Sequence, residues 1–569
     1  LRKEWATLRS FNTYQPMGKI RNYFGEKIAF YFAWLGFYTE WLRWPAILGF
    51  GVWVYQLYLL HIVNNCAKKT VITDDGDKIE VCAQESSEEK DGGSAKIEFK
   101  GEAIVYFFFA FFMICWSMFF VAAWTRKQRY YATKWGTSNY KKIEPPRPEF
   151  EGQMITNPVS EKKERFYPKK LRRYKVSCSF SILLTTLGLC VVMVLTIFFL
   201  KARVNSDSAQ SNGKELTEEE KSRYNLIFGL VQSAQIFIFN ALYGTMAQWF
   251  TNWENHRTES EYESALIYKK FLFQFINSYN SLFYIAFIKR YLEECVDGNK
   301  TRLGYEGCNK GFQINELYTE LSWQLTSIFI TSIVMNVVEV VTPYIGLKVK
   351  KSLENRKIKK MQKGEHSKIT RELMCYSESQ TKLDEFKGTL NEYLELIIQY
   401  GFMILFCVAF PLAPLLALVA NIFEIRVDAL KLCYLYRRPV PEKAEGIGPW
   451  VSILSFMGMI GLMTNTGIII FTMRVVKTNN VLYEYVVYVI VEHVMLAVKI
   501  LIDLLISKQN METNQLEKRH DFVLNRFLFG DDSEQANKIK IMDYRPAIYR
   551  TEDVDLYNNL ENFKFATYE

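Results

Sequence analysis

The chain has 569 residues, of which 49% are hydrophobic, 15% aromatic and 23% charged, and its mean hydropathy lies close to zero because strongly apolar stretches alternate with strongly charged ones. That alternation excludes a single soluble core and points to an all-α polytopic membrane protein. The formal net charge of +9 sits in loops flanking the apolar stretches and forms no separate basic domain, so it reads as cytoplasmic bias and attraction to anionic headgroups, with no nucleic-acid partner.

Residues 1–41 are predicted to form cytoplasmic or interfacial helices ahead of the membrane, and no cleavable signal pattern opens the chain. Ten stretches long enough to cross about 30 Å of hydrocarbon follow, at 42–63, 103–124, 176–200, 224–250, 266–288, 317–345, 392–410, 412–436, 449–473 and 482–507. They define a predicted transmembrane domain over 42–507. The first loop carries Asp74, Asp75, Asp77, Glu85, Glu88, Glu89 and Asp91 and reads as external. The next carries Arg126, Lys127, Arg129, Lys134, Lys141 and Lys142, and 348–371 is as basic, so both are cytoplasmic. Both termini are then cytoplasmic. Cys66 and Cys82 in the first external loop and Cys295 and Cys308 in the third lie where disulfides are permitted, with the pairing open. The third loop also holds the glycosylation sequon Asn299-Lys300-Thr301. Residues 508–569 are predicted to be a cytoplasmic helix, over Glu512 to Leu528, and a tail.

Five carboxylates fall inside the apolar stretches: Glu339, Glu392, Glu395, Glu424 and Asp428. An acid at the centre of a membrane helix costs about 2.5–3.5 kcal/mol, so several are not expected to face lipid separately. Glu392 and Glu395 are spaced i,i+3 and Glu424 and Asp428 i,i+4, so each pair projects from one face of its helix; Asn336 and Glu339 repeat the i,i+3 spacing on a third. Clustered carboxylate and amide oxygens without His or Cys describe a hard-cation site, and Ca2+ accepts that many oxygens more readily than Mg2+. Salt-bridged structural acids are the plainer alternative. Arg426 lies two residues from both Glu424 and Asp428, on the opposite side of an ideal helix, and does not suit as their counter-ion. No phosphate-binding loop, dinucleotide fingerprint, zinc-protease helix or CxxC is present, and the five histidines are scattered. An enzyme is not expected.

The runs IRNYFGEKIAFYFAWLGFYTEWL at 20–42, NWENHRTESEYESALIYKKFLFQFINSYNSLFYIAF at 252–287 and EYLELIIQYGFMILFCVAFPLAPLLALVANIFEIRVDALKLCYLYRRPV at 392–440 closely resemble the anoctamin (transmembrane protein 16) family, over about residues 5 to 525. The resemblance implies a ten-helix homodimer with a membrane-facing groove in each subunit, opened by two Ca2+ ions bound among the sixth, seventh and eighth helices. It maps the family's ligands onto Glu339, Glu392, Glu395, Glu424 and Asp428. Where the family has a liganding asparagine this chain has Met335, with Asn336 beside it, and a thioether is a poor Ca2+ ligand. Phe329 stands at the family's glycine hinge, leaving Pro343 as a flex point.

The resemblance also marks the groove. Gln274 replaces a pore lysine of anion-selective relatives, and the three constriction positions, bulky in most members, are Ser233, Ser278 and Ser327. Hydroxyls wet a constriction that apolar side chains would dewet. The expectation is a Ca2+-activated phospholipid scramblase with weakly selective conduction of permeant ions, in the plasma membrane or an endomembrane. A Ca2+-activated chloride channel and a non-transporting membrane tether are the alternatives.

Overall fold

The computed structural model describes Trp5 and residues 15–64, 68–72, 78–82, 101–138, 140–156, 161, 163–205, 210–211, 214–215, 218–289, 295–297, 300–301, 320–331, scattered positions from 334 to 353, 381, 383–472, 481–506 and 511–529. The chain divides into two compact units, Leu1–Gln509 and Asn510–Glu569. In the second, a single helix, Met511–Phe529, is described.

The first unit begins with two short helices, α1 (Met17–Phe24) and α2 (Glu26–Trp41). Between them Gly25 takes φ 90° and lies against the loop at 441–442, where an added Cβ would sit 2.9 Å from the Glu442 nitrogen. Only glycine tolerates both the left-handed backbone and that approach. α2 is apolar on nearly every face and buried on nearly every face, as a helix sunk into a core must be.

Long helices follow: α3 (Arg43–Asn64), α4 (Gly101–Trp135), α5 (Tyr140–Ile143, a single turn), α6 (Lys169–Asn205), α7 (Glu218–Trp253) and α8 (Glu259–Phe283). Residues 320–331 are helical. Then come α9 (Leu390–Leu405), α10 (Ala413–Leu430), α11 (Trp450–Gly467) and α12 (Val481–Leu505). α8, α10 and α11 each run on into a π turn, at Tyr284–Ile288, Lys431–Leu435 and Ile468–Thr472. Four two-stranded antiparallel hairpins are the sheets among the described residues.

Among the described residues, five segments are long and apolar enough to cross a membrane: Ile104–Trp135, Lys169–Lys201, Glu259–Ile288, Trp450–Phe471 and Leu482–Ile502. Each overlaps a predicted span. α3, α7, α9 and α10 coincide with four more, and 320–331 with the start of the sixth. The last of the five, on α12, has only 6% of its apolar window buried inside the chain. Its surface therefore calls for lipid or another protein as its solvent.

An aromatic layer locks α2 to the bundle. Trp34 stacks on Tyr38 at 5.5 Å, Tyr38 meets Phe120 of α4 at 5.5 Å, and Tyr393 of α9 stacks on Trp450 of α11 at 5.7 Å. The Tyr279 hydroxyl of α8 crosses the face of Gly401 to donate to the Ile398 carbonyl at 2.6 Å; a Cβ at position 401 would collide with that oxygen. Polar ties join the helix ends. Lys27 of α2 pairs with Glu263 of α8 and with Glu442. Arg172 of α6 donates to His256 Nδ1 at 2.9 Å, and His256 Nε2 meets the buried Glu254 at 2.8 Å. Arginine cannot accept, so Nδ1 must, which fixes the neutral ring with its proton on Nε2.

Candidate functional site

The candidate site lies where the start of α9 meets the end of α10. Glu392 falls in the first turn of α9 and Glu395 one turn later, while Glu424 and Asp428 occupy the last two turns of α10. The helical spacings turn each pair toward the neighbouring helix. One carboxylate oxygen from each of Glu392, Glu395 and Glu424 lies within 4.8 Å of the other two. Glu424 is buried; Glu392 and Glu395 are half-buried.

Asp428 is buried one turn beyond this group and is held from two sides. The Tyr31 hydroxyl of α2 donates to its Oδ2. Lys431, the first residue of the π turn, places its ammonium 3.2 Å from Asp428 Oδ1 and 3.5 Å from Glu392 Oε2. Burial, and then the facing carboxylates of Asp428, Glu392 and Glu424, push the Tyr31 hydroxyl well above its ordinary range. Tyr31 is thus a permanent donor. Arg426 turns the other way, as its helical position requires, and donates to the Trp5 carbonyl at 2.9 Å.

Lys431 and Tyr31 are the two residues of this site that sequence reasoning missed. The lysine's i,i+3 spacing from Asp428 was a legible signal, although a lysine at the end of an apolar stretch equally suits a side chain reaching for headgroups. Tyr31 lies 397 residues from Asp428, and no local pattern joins them. Asn336, Glu339 and Pro343, together with Met335, lie outside the described residues. So do Cys66, Cys308, Asn299 and the side chains of Cys82 and Cys295.

The described donors fit a hard divalent cation. All are carboxylate oxygens, they converge from two helices, and neither His nor Cys intrudes. Four carboxylates at −1 each and the Lys431 ammonium at +1 sum to a formal charge of −3, which attracts such an ion and destabilises the cluster without one.

Of the predicted groove residues, Ser278 is buried on α8, Gln274 is half-buried one turn earlier, and Ser327 is exposed on 320–331. Ser233 lies on α7 with its side chain outside the described residues. Beside Ser278 is a buried amide cluster that sequence reasoning also missed. Asn277 accepts from Gln235 at 3.0 Å and from Cys190 Sγ at 3.0 Å, and donates to Asn240 at 2.8 Å and to the Ile236 carbonyl at 3.0 Å. It ties α6, α7 and α8 together through polar contacts within their apolar lengths; amides recurring in the predicted spans were the available signal. Phe329, which the sequence resemblance sets at a hinge position, is buried against Phe402 and Phe410 at 6.2 and 6.0 Å. A packed ring there opposes bending at that point.

A family model described as "Anoctamin: Calcium-activated chloride channel" matches residues 20–520. Anoctamin-7 of Mus musculus is 32% identical over 481 residues, covering 83% of this chain and 54% of its own. Anoctamin-1 of Homo sapiens is 30% identical over 534 residues, covering 85% and 53%, and Anoctamin-5 of Homo sapiens 32% identical over 516 residues, covering 85% and 54%. The chain spans about half the length of these curated relatives.

Proposed function

Since the chain belongs to the anoctamin family, we propose that it is a Ca2+-activated phospholipid scramblase with accompanying, weakly selective ion conduction. The observation that carries the activation half is the convergence of Glu392, Glu395 and Glu424 within 4.8 Å. Residues Glu339 and Asn336 of the sixth span complete this set in the proposal, with Asp428 joining from α10, to hold two Ca2+ ions per subunit. Bound calcium would supply positive charge that turns mutual repulsion among these acids into attraction between their helices. The protein's own part is to present oxygens from separate helices, so that drawing them together reorders the bundle.

The lipid half rests on α7 and α8. Ser233, Ser278 and Ser327, with Gln274, give the proposed constriction hydroxyl and amide groups in place of apolar bulk, and the Asn277 cluster adds a polar seam between α6, α7 and α8. A hydrated furrow lets a headgroup pass while its tails stay in lipid. Pro343 is the proposed flex point. The proposed assembly is a ten-span homodimer in the plasma membrane, its two-fold contact on α12, whose apolar window is almost wholly unburied within the chain.

A second reading, a Ca2+-activated chloride channel, is favoured by the description that the matching family model carries. Reconstituted protein separates the two. Dye-labelled lipid should flip in proteoliposomes when Ca2+ is added, with chloride flux accompanying it. Chloride flux without flipping would establish the channel reading and overturn the scramblase; neither activity would leave a tether.

A further inference from the structure

The carboxylate cluster already contains a cation. Lys431 is buried, and its ammonium bridges Asp428 of α10 at 3.2 Å and Glu392 of α9 at 3.5 Å. Removing an ammonium from water costs several kcal/mol, so the lysine sits there because carboxylates replace the lost hydration. Glu392 is also one of the three acids whose oxygens converge, and Asp428 belongs to the proposed Ca2+ set. Ca2+ takes about six to eight oxygens at about 2.3–2.6 Å, so a bound ion would compete with the ammonium for the negative charge of Glu392 and Asp428.

We propose that Lys431 is a tethered cation that occupies the carboxylate cluster in the metal-free protein, and that its displacement sets the Ca2+ concentration at which the site fills. This rests on the reading of the cluster as a Ca2+ site and adds a built-in competitor to it. Lysine suits the role for a chemical reason. Its compact charge sits on a four-carbon stem and can swing out and be rehydrated, whereas the planar fork of arginine grips two carboxylate oxygens at once. Tyr31 differs: it is neutral, donates to the other oxygen of Asp428, and can keep that bond while the lysine leaves. Lys431 thus lowers affinity while stabilising the empty site, and the two effects have opposite signs in the two states.

The test is direct Ca2+ binding by calorimetry to the full chain purified in detergent, for the parent, Lys431→Met and Lys431→Arg, with thermal unfolding in chelator and in saturating Ca2+. Lys431→Met keeps the stem and removes the charge, so Ca2+ should bind about tenfold more tightly. Its unfolding temperature should fall in chelator, where the acids lose their counter-ion, and match the parent in Ca2+. Lys431→Arg should bind Ca2+ several-fold more weakly than the parent, and it decides the matter if the Met variant does not fold. If the parent binds Ca2+ and the Met variant binds it no more tightly, or the Arg variant no less tightly, Lys431 is no competitor and the Ca2+ reading stands without it. If the parent and both variants bind no Ca2+, that reading fails and takes this inference with it.

Discussion

Replacing Glu424 by Gln should make the metal-free protein more stable and the Ca2+ site much weaker. The side chain keeps its shape and loses its charge. Two ionised carboxylates at 4.8 Å, the widest separation within the Glu392, Glu395 and Glu424 group, repel by about 3.5 kcal/mol at an effective dielectric of about 20, and Glu424 faces both Glu392 and Glu395. Lys431 and salt offset part of this, which leaves a gain of about 2 kcal/mol for the variant in chelator. A divalent cation reverses the sign. Its attraction to Glu424 is twice the repulsion between two carboxylates at equal distance, while that repulsion is present with and without the ion and cancels in the binding difference, so even after screening the variant should lose at least about 100-fold in affinity, or about 2.7 kcal/mol. Thermal unfolding in chelator reads the first effect and Ca2+ titration the second, on one preparation. A variant with the parent's Ca2+ midpoint and no gain in chelator would refute the reasoning, because the three carboxylates could not then be sharing one electrostatic site.

Tyr31→Phe removes the donor to Asp428 from α2 and should cost about 1.5–3 kcal/mol, the usual worth of a hydrogen bond to a charged group, measured as unfolding in chelator. Burial alone would raise the Glu254 carboxyl, but hydrogen bonds from His256 and Lys269 outweigh it and hold the group below its ordinary range. The folded value then lies below the unfolded one, about 4.3, so this stabilisation is full above that pH and is lost as pH falls through the folded value. Glu254→Gln should therefore destabilise most near neutral pH and converge on the parent in acid, read from unfolding temperatures across that range. Combining Ser233→Leu, Ser278→Ala and Ser327→Leu should slow lipid flipping in proteoliposomes strongly while Ca2+ affinity stays at the parent's value; alanine is used at Ser278 because that side chain is buried and a larger one would overpack. Unchanged flipping in this triple variant would refute the hydroxyl-lined constriction.

What the sequence made legible follows its periodicities. Apolar length located the helices, because a segment that must satisfy its backbone in lipid has little choice but to be helical. The i,i+3 and i,i+4 spacings put Glu392 with Glu395 and Glu424 with Asp428 on common faces, and the structure brings three of these four within reach of one cation. Periodicity fixes which face a residue takes and says nothing of what the face meets. Tyr31 reaches Asp428, and Trp5 receives Arg426, only because α2 is buried against the bundle through an aromatic layer whose pairings no spacing encodes. The Asn277 cluster was hidden for the same reason, each amide looking like an isolated polar residue until α6, α7 and α8 brought four side chains together.

Lys431 shows where such reading can be extended. Carboxylates gathered as closely as Glu392, Glu395 and Glu424 repel one another when ionised. A cation or donor supplied by the chain relieves that repulsion, and the first place to look is one helical turn beyond the acids. At that position the chain has Lys431, and the structure sets its ammonium against both α9 and α10. A site that must be stable when empty and still bind an ion reversibly needs a counter-charge weak enough to leave, and a lysine on a flexible stem meets both demands.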